Sequence, residues 1–187
     1  KLNDADVPDS VIEEAVRAIT KDRSVMNRVR ANREVYDLLR DGYRAEWVDQ
    51  TGEKRVEVLR YLDFQDPLNN DLLAVQQMWV KGELHSRRID VALFVNGVPL
   101  VLMEFKEPSE PVKSAYDLNL TDYRDTIPQL FTPNCFVLLS NGGEAKVGST
   151  YAPWEFFNDW SVVGADGTRG VVALETALRG TCDPAVL

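Results

Sequence analysis

The alternation of apolar and polar residues divides the chain into helical and extended segments. Apolar residues at helical spacing predict helices over 9–20, 24–40, 112–126 and 170–179. Alternation with a period of two, or short apolar runs bounded by turn residues, predicts strands over 43–49, 54–64, 72–80, 88–95, 98–106, 134–139 and 144–149. Asp9 or Ser10 would cap the first helix and Ser24 the second, and a loop at 164–167 would precede the last helix.

The strands over 88–95 and 98–106 are the most informative part of this pattern. They join at Asn96-Gly97, a pair typical of hairpin turns. Both faces of both strands are apolar, which indicates a central, buried part of a sheet. Three charged residues lie at the open end of this hairpin, all at even-numbered positions: Asp90, Glu104 and Lys106. Because strand side chains alternate, Glu104 and Lys106 share a face.

Whether Asp90 meets Glu104 depends on the turn between the two strands. A two-residue turn at Asn96-Gly97 would pair residue 95 with 98 and point Asp90 away from Glu104. A three-residue loop over 95–97, with Gly97 left-handed in a bulge, would make the two acids diagonal neighbours about 7–8 Å apart. We predict this bulged register, because one ion with ligands at about 2.0–2.1 Å can bridge two carboxylates at that separation.

Two interpretations account for charged residues in so apolar a setting, since burying them without partners costs several kcal/mol. Asp90 and Glu104 could form salt bridges with Lys106. Alternatively, they could hold Mg²⁺ together with the backbone carbonyl of Phe105, and the ion would polarise a phosphodiester and acidify a water. Lys106 would then orient that water or stabilise charge developing on phosphorus. Asp90, Glu104 and Lys106 are therefore the candidate catalytic residues.

Composition narrows the class of protein. The 187 residues carry 21 Lys and Arg against 30 Asp and Glu, a net charge of −9. Such an acidic chain argues against non-specific nucleic-acid binding, although not against a local metal site that binds phosphate. Cys135 and Cys182 are too few for a disulfide scaffold or a zinc site, so we expect reduced thiols and a cytoplasmic protein. No apolar run is long enough to span a membrane, and no phosphate loop of the Walker type is present.

The charged hairpin resembles a known family of nucleases. Asp90 followed by Glu104-x-Lys106 resembles the core of the Pro-Asp…(Asp/Glu)-x-Lys superfamily, although Ile89 stands where that name has Pro. More closely, R-x-D-x-x-L-F-V-N-G-x-P-L-V-x-x-E-x-K, which ends at Lys106, resembles the N-terminal endonuclease domain of the R (motor) subunit of type I restriction-modification enzymes. Segments at 70–77 and 127–150 extend the resemblance over about residues 32–160.

The resemblance implies an α/β fold of the restriction-endonuclease type, a mixed sheet flanked by helices. It implies one nuclease domain over 1–187 with its core at about 32–160, and residues 161–187 as an extension or linker toward motor domains. Since the chain begins at Lys1 without Met, we expect a fragment or a trimmed product. The implied activity is Mg²⁺-dependent cleavage of double-stranded DNA, with ATP needed only by motor domains outside this chain. Methylation (M) and specificity (S) subunits would be partners, and a membrane would not.

The family motif suggests further site residues, and this sequence matches that motif only in part. The family carries Gln-x-x-x-Tyr on the helix after the lysine strand, and this chain has Asn119 and Tyr123, so the shorter amide places the role of Asn119 in doubt. Tyr123 could lie near the DNA backbone or the lysine, or simply pack. An upstream acid often completes such sites, and Glu13, Glu14 and Glu34 are equal candidates. The alternatives to a type I subunit are another nuclease of the superfamily, in repair or a mobile element, and a docking module that no longer cuts.

Overall fold

The structure, a computed structural model, describes residue 3 and residues 6–160 and 173–184. The predicted loop at 164–167 and the beginning of the predicted last helix lie outside the described residues. The chain divides into two compact units, Lys1–Asp71 and Leu72–Leu187. No helix in the described part of the chain is both long enough and apolar enough to cross a bilayer.

The first unit contains two helices and an antiparallel strand pair. Its elements are α1 (Asp9–Thr20), α2 (Arg28–Asp41), β1 (Tyr43–Val48) and β2 (Lys54–Leu59). The apolar face of α1 packs its buried Val11 and Ala15 with Ala45 of β1 and Leu59 of β2. The strand predicted over 54–64 ends earlier than expected, at Leu59. β1 and β2 form a two-stranded sheet of their own.

The predicted helix caps are wrong. Pro8 occupies the N-cap position of α1, and no side chain caps that end. The side chain of Asn27 caps α2 by accepting from the amides of Val29 and Arg30. Ser24 instead donates its amide and hydroxyl to the carboxylate of Asp22, which forms a local turn and delays the helix.

The second unit is a six-stranded mixed sheet with helices. Its strands are β3 (Leu72–Lys81), β4 (Ser86–Val95), β5 (Val98–Phe105), β6 (Phe136–Ser140), β7 (Ala145–Ser149) and β8 (Asn158–Asp159). They lie in sequence order; β5 and β6 run parallel and all other neighbours antiparallel. This α/β arrangement is that of a restriction-endonuclease-like fold, as the resemblance implied, and β4 and β5 are central, as their two apolar faces predicted.

The crossover from β5 to β6 carries the helix that covers the sheet. A π-helical segment, Ala115–Leu120, continues directly into α3 (Thr121–Thr126), so the predicted helix over 112–126 is present but irregular. This segment packs on β5 and β6, and the buried core between them includes Leu102, Val112, Ala115, Leu120, Tyr123, Ile127, Phe131, Val137 and Leu139. The last described helix is α4 (Ala173–Thr181).

The turn of the central hairpin differs from the prediction. Val95 pairs with Val98 across a two-residue turn in which both Asn96 and Gly97 have positive φ. The register then shifts between Leu93 and Phe94, because Leu93 pairs with Val101 and Phe94 with Pro99. The left-handed Gly97 is confirmed, but the three-residue loop is wrong.

The extra, unpaired residue that forms the bulge is Leu100, which lies inside β5 and not in the turn. It follows Pro99, which has no amide to donate and is compatible with a bulge. The bulge shifts the pairing so that Val91 opposes Met103, and the next pair along this register would be Asp90 and Glu104. The two acids therefore come together by a different route from the one predicted.

We predict that Gly82→Ala lowers the free energy of unfolding by about 1–3 kcal/mol. A methyl group there would lie 1.9 Å from the carbonyl oxygen of Thr126 and 3.0 Å from that of His85, both of which are backbone atoms. Gly143→Ala is the matched control, because its methyl would meet only Asn141 Oδ1 at 3.7 Å, and its change should stay within about 0.5 kcal/mol. Urea unfolding of both variants provides the measurement. Equal losses would contradict the packing described between Gly82 and the end of α3.

Candidate active site

Asp90 lies where the ladder between β4 and β5 ends. The last observed pair is Val91 with Met103. Beyond it, the backbone amide of Phe105 donates to Asp90 Oδ2 at 2.9 Å, so a side chain accepts the hydrogen bond that a strand backbone would otherwise take. Asp90 Oδ1 accepts from Gln77 Nε2 of β3 at 3.0 Å. Both carboxylate oxygens are therefore held in a defined orientation at a half-buried position.

Glu104 is the buried acid of the site, with 7% of its surface exposed. The Tyr123 hydroxyl lies 3.2 Å from Oε1. Oε2 is buried and has no hydrogen-bond partner among the described residues, which is an unfavourable state for a carboxylate oxygen. Burial, and then the charge of Asp90, raise the pKa of Glu104 to about 7, while the Tyr123 hydroxyl, the Lys106 charge and the backbone amide of Asp90 act in the opposite direction. The influence of Asp90 on this pKa places the two carboxyl groups in one electrostatic environment.

Tyr123 connects Glu104 to the covering helix. Its hydroxyl lies 3.0 Å from the carbonyl oxygen of Arg88 and accepts from Asn119 Nδ2 at 3.3 Å. Burial, as the largest cause, raises the pKa of Tyr123 to about 12, so the phenol keeps its proton near neutral pH and can donate it. Asn119 and Tyr123 are therefore in contact, but Asn119 Oδ1 is buried without a partner among the described residues.

Lys106 follows β5 directly and is half-buried. Its backbone amide donates to Ser140 of β6 at 2.8 Å, which fixes where the side chain leaves the sheet. Within the part of the chain that the structure describes, its ammonium group makes no ion pair of 4.0 Å or less with Asp90 or Glu104. The salt-bridged trio considered as an alternative is therefore not formed, although the charge of Lys106 still lowers the pKa of Glu104.

The oxygen atoms at this place fit a hard divalent cation. Carboxylate and carbonyl oxygens are the ligands that Mg²⁺ takes in proteins, and Asp90, Glu104 and the carbonyl of Phe105 would supply them. The buried, unpartnered Glu104 Oε2 is the structural observation that supports the fit, because a cation would satisfy it. No group of three or more His, Cys, Asp and Glu suited to a metal occurs among the described residues, so the site would use two carboxylates.

Two of the three upstream glutamates, Glu34 and Glu13, take part in ion pairs within the first unit. Glu34 lies 3.3 Å from the buried guanidinium of Arg23, and Glu13 lies 3.5 Å from Arg17. The hypothesis that one of Glu13, Glu14 and Glu34 joins the site stays a prediction.

Gln77 is the site contact that we did not single out in the sequence, where it enters only as part of a segment resembling the family. Register brings it there, since β3 pairs with β4 so that Gln77 faces Asp90. Strand spacing alone does not reveal which residues of separate strands face each other.

Comparison with known proteins identifies the family to which the chain belongs. A family model described as the N terminus of the type I restriction enzyme R protein matches residues 1–156. The chain is 36% identical over 167 residues to the type I restriction enzyme HindI endonuclease subunit of Haemophilus influenzae, covering 87% of this chain and 16% of that protein. It is 30% identical over 145 residues to the putative type I restriction enzyme MjaIXP endonuclease subunit of Methanocaldococcus jannaschii, covering 75% and 14%. The chain thus spans about a sixth or less of the length of these relatives.

We predict that Glu104 makes the metal-free protein less stable as the pH rises. Its folded-state pKa of about 7 exceeds the ordinary value of 4.5, so the folded state holds this proton more tightly than the unfolded state does. Its contribution to stability is complete below about pH 4.5 and is lost as the pH rises through about 7. Urea unfolding in EDTA should show the stability difference between wild type and Glu104→Gln falling across this range.

The control for this titration is Glu107→Gln, which removes an exposed carboxylate three residues further along the chain. Its unfolding curve should keep the pH dependence of the wild type. Wild-type and Glu104→Gln curves that stay parallel from pH 4.5 to 8 would show that Glu104 is not buried in the way described.

Proposed function

Since this chain belongs to the family of type I restriction enzyme R protein N termini, we propose that it is the DNA-cleaving module of such an R subunit. The proposed reaction is hydrolysis of phosphodiester bonds in double-stranded DNA with bound Mg²⁺. The observation that carries the proposal is the buried, unpartnered Glu104 Oε2 beside Asp90, at the end of a central hairpin. Two neighbouring carboxylates, one of them with a buried oxygen that lacks a hydrogen-bond partner among the described residues, are suited to binding a catalytic cation and poorly suited to structural support.

In this proposal the side chains have distinct roles. Asp90, Glu104 and the Phe105 carbonyl would hold Mg²⁺. The bound ion would supply Lewis-acid chemistry, by polarising the phosphodiester and lowering the pKa of a water. Tyr123 keeps Glu104 in place through its hydroxyl, and the amide of Phe105 does the same for Asp90.

Lys106 is the proposed electrostatic catalyst. Its ammonium is not engaged in an ion pair with either acid in the described part of the chain, so it is available to a phosphate. A cation held beside the reacting group stabilises negative charge that develops on phosphorus, or orients the attacking water. Both roles need the ammonium group and neither needs it to lose a proton permanently.

The larger assembly follows from the family and from the charge. We propose that ATP-driven translocase domains outside this chain, with methylation and specificity subunits, deliver the module to DNA. A net charge of −9 supports delivery, because an acidic module gains little from long-range attraction to phosphates. Recognition of a DNA sequence would then belong to the partner subunits.

We predict that Lys106→Ala in the complete enzyme lowers plasmid cleavage by at least about 100-fold while ATP hydrolysis continues at the wild-type rate. The variant removes charge at the proposed site and leaves the motor domains intact. Strand breaks are read from supercoiled plasmid on agarose, and ATP hydrolysis is measured in the same reactions.

Lys54→Ala is the matched control, because Lys54 lies on β2, is exposed, and pairs with Glu46 at 2.9 Å. It should keep both activities. Retained cleavage by Lys106→Ala, or loss of cleavage and ATP hydrolysis together, would contradict the proposed role.

A further inference from the structure

The backbone of Gln77 has an unusual conformation within a strand. Among the residues that the structure describes, Gln77 and Asn96 are the non-glycine residues with positive φ, at 52° and 49°. Asn96 lies in a hairpin turn, where this conformation is normal. Gln77 lies inside the ten-residue strand β3, where a left-handed backbone is strained for a side chain of this size.

The strain coincides with an interruption in the sheet. Gln76 pairs with Val91 and Met78 with Ile89, while Gln77 and Asp90 face each other between these pairs without forming one. Ile89 and Ala92 belong to the same buried cluster although they lie three positions apart. Strict alternation would place them on opposite faces. The strand pattern therefore shifts at Asp90, directly across from Gln77.

The distortion brings an amide group to the acid. Gln77 Nε2 donates to Asp90 Oδ1 at 3.0 Å, and Phe105 donates to Oδ2 from the other side. A neutral amide orients a carboxylate without supplying the positive charge with which an ammonium would cancel it. Asp90 thus keeps its full attraction for a cation while its direction is fixed. Hydrogen bonds of this kind to ligating groups are a general means of tuning metal sites.

We propose that Gln77 is a positioning residue, which orients Asp90 for the cation at the expense of local backbone strain. The inference rests on the proposed function, because it assigns Asp90 to the metal. A residue that only packs should stabilise the fold in its native conformation. Residue 77, in contrast, would orient the site and lower the stability of the fold.

Comparing Gln77→Gly with Gln77→Ala in this chain separates the effect of the side-chain amide from the effect of the backbone conformation. Both remove the amide, so both should weaken Mn²⁺ binding by roughly 10-fold or more, as measured by calorimetry. Glycine accepts positive φ and alanine does not. Alanine keeps the strain that glutamine already carries and glycine relieves it, so we expect Gln77→Gly to melt no lower than wild type and about 2–4 °C above Gln77→Ala.

Gln76→Gly is the matched control, because Gln76 is an exposed neighbour that pairs normally with Val91. It should lower the melting temperature and leave Mn²⁺ affinity unchanged. Asp90→Ala gives the reference for loss of the site.

Each other outcome overturns a defined statement. If Gln77→Gly binds Mn²⁺ as well as wild type while Asp90→Ala does not, the role of Gln77 is wrong and the proposed function stands. If Gln77→Gly loses affinity but is destabilised as much as Gln76→Gly, residue 77 supports only the fold, and the inference is again wrong. If wild type and Asp90→Ala both fail to bind Mn²⁺, the proposed function fails, and the inference fails with it.

Discussion

The central constraint in this protein is the burial of a carboxylate, that of Glu104, next to a second one, that of Asp90. Removing a charged oxygen from water is unfavourable unless partners replace the lost hydration, and the fold supplies only some of them. The Tyr123 hydroxyl serves one oxygen of Glu104, and the other lacks a partner among the described residues. A proton or a divalent cation can relieve this state. Near neutral pH the two would compete, which links the raised pKa to the proposed metal site.

The surrounding architecture holds the two acids at this position. β4 and β5 are each paired on both sides, so their backbones are fixed by hydrogen bonds. The covering helix is fixed to the beginning of β4 by an ion pair, in which Nε and Nη2 of Arg87 both donate to the carboxylate of Asp122. Asp122 precedes Tyr123, so this contact also sets where the phenol lies. The reactive groups extend from rigid elements, which favours a fixed site geometry.

Part of this arrangement could be predicted from sequence and part could not. Apolar residues on both faces correctly predicted that the hairpin is central, and the spacing of Glu104 and Lys106 defined the candidate site. The loop was wrong because the bulge lies at Leu100, where an apolar residue in an apolar strand gives no signal. The contact of Gln77 with Asp90 could not be predicted, because it depends on the register of β3 against β4. The predicted cap at Ser24 failed for a local reason, since Ser24 binds Asp22 in place of the helix end.

The most direct measurement is a crystal structure of this chain with Mn²⁺, located by its anomalous scattering. The account predicts a Mn²⁺ ion bound by a carboxylate oxygen of Asp90, by Glu104 Oε2 and by the carbonyl oxygen of Phe105. Lys106 should lie nearby without entering the coordination shell. An ion bound elsewhere, or Asp90 and Glu104 directed to opposite faces of the sheet, would contradict the central claim.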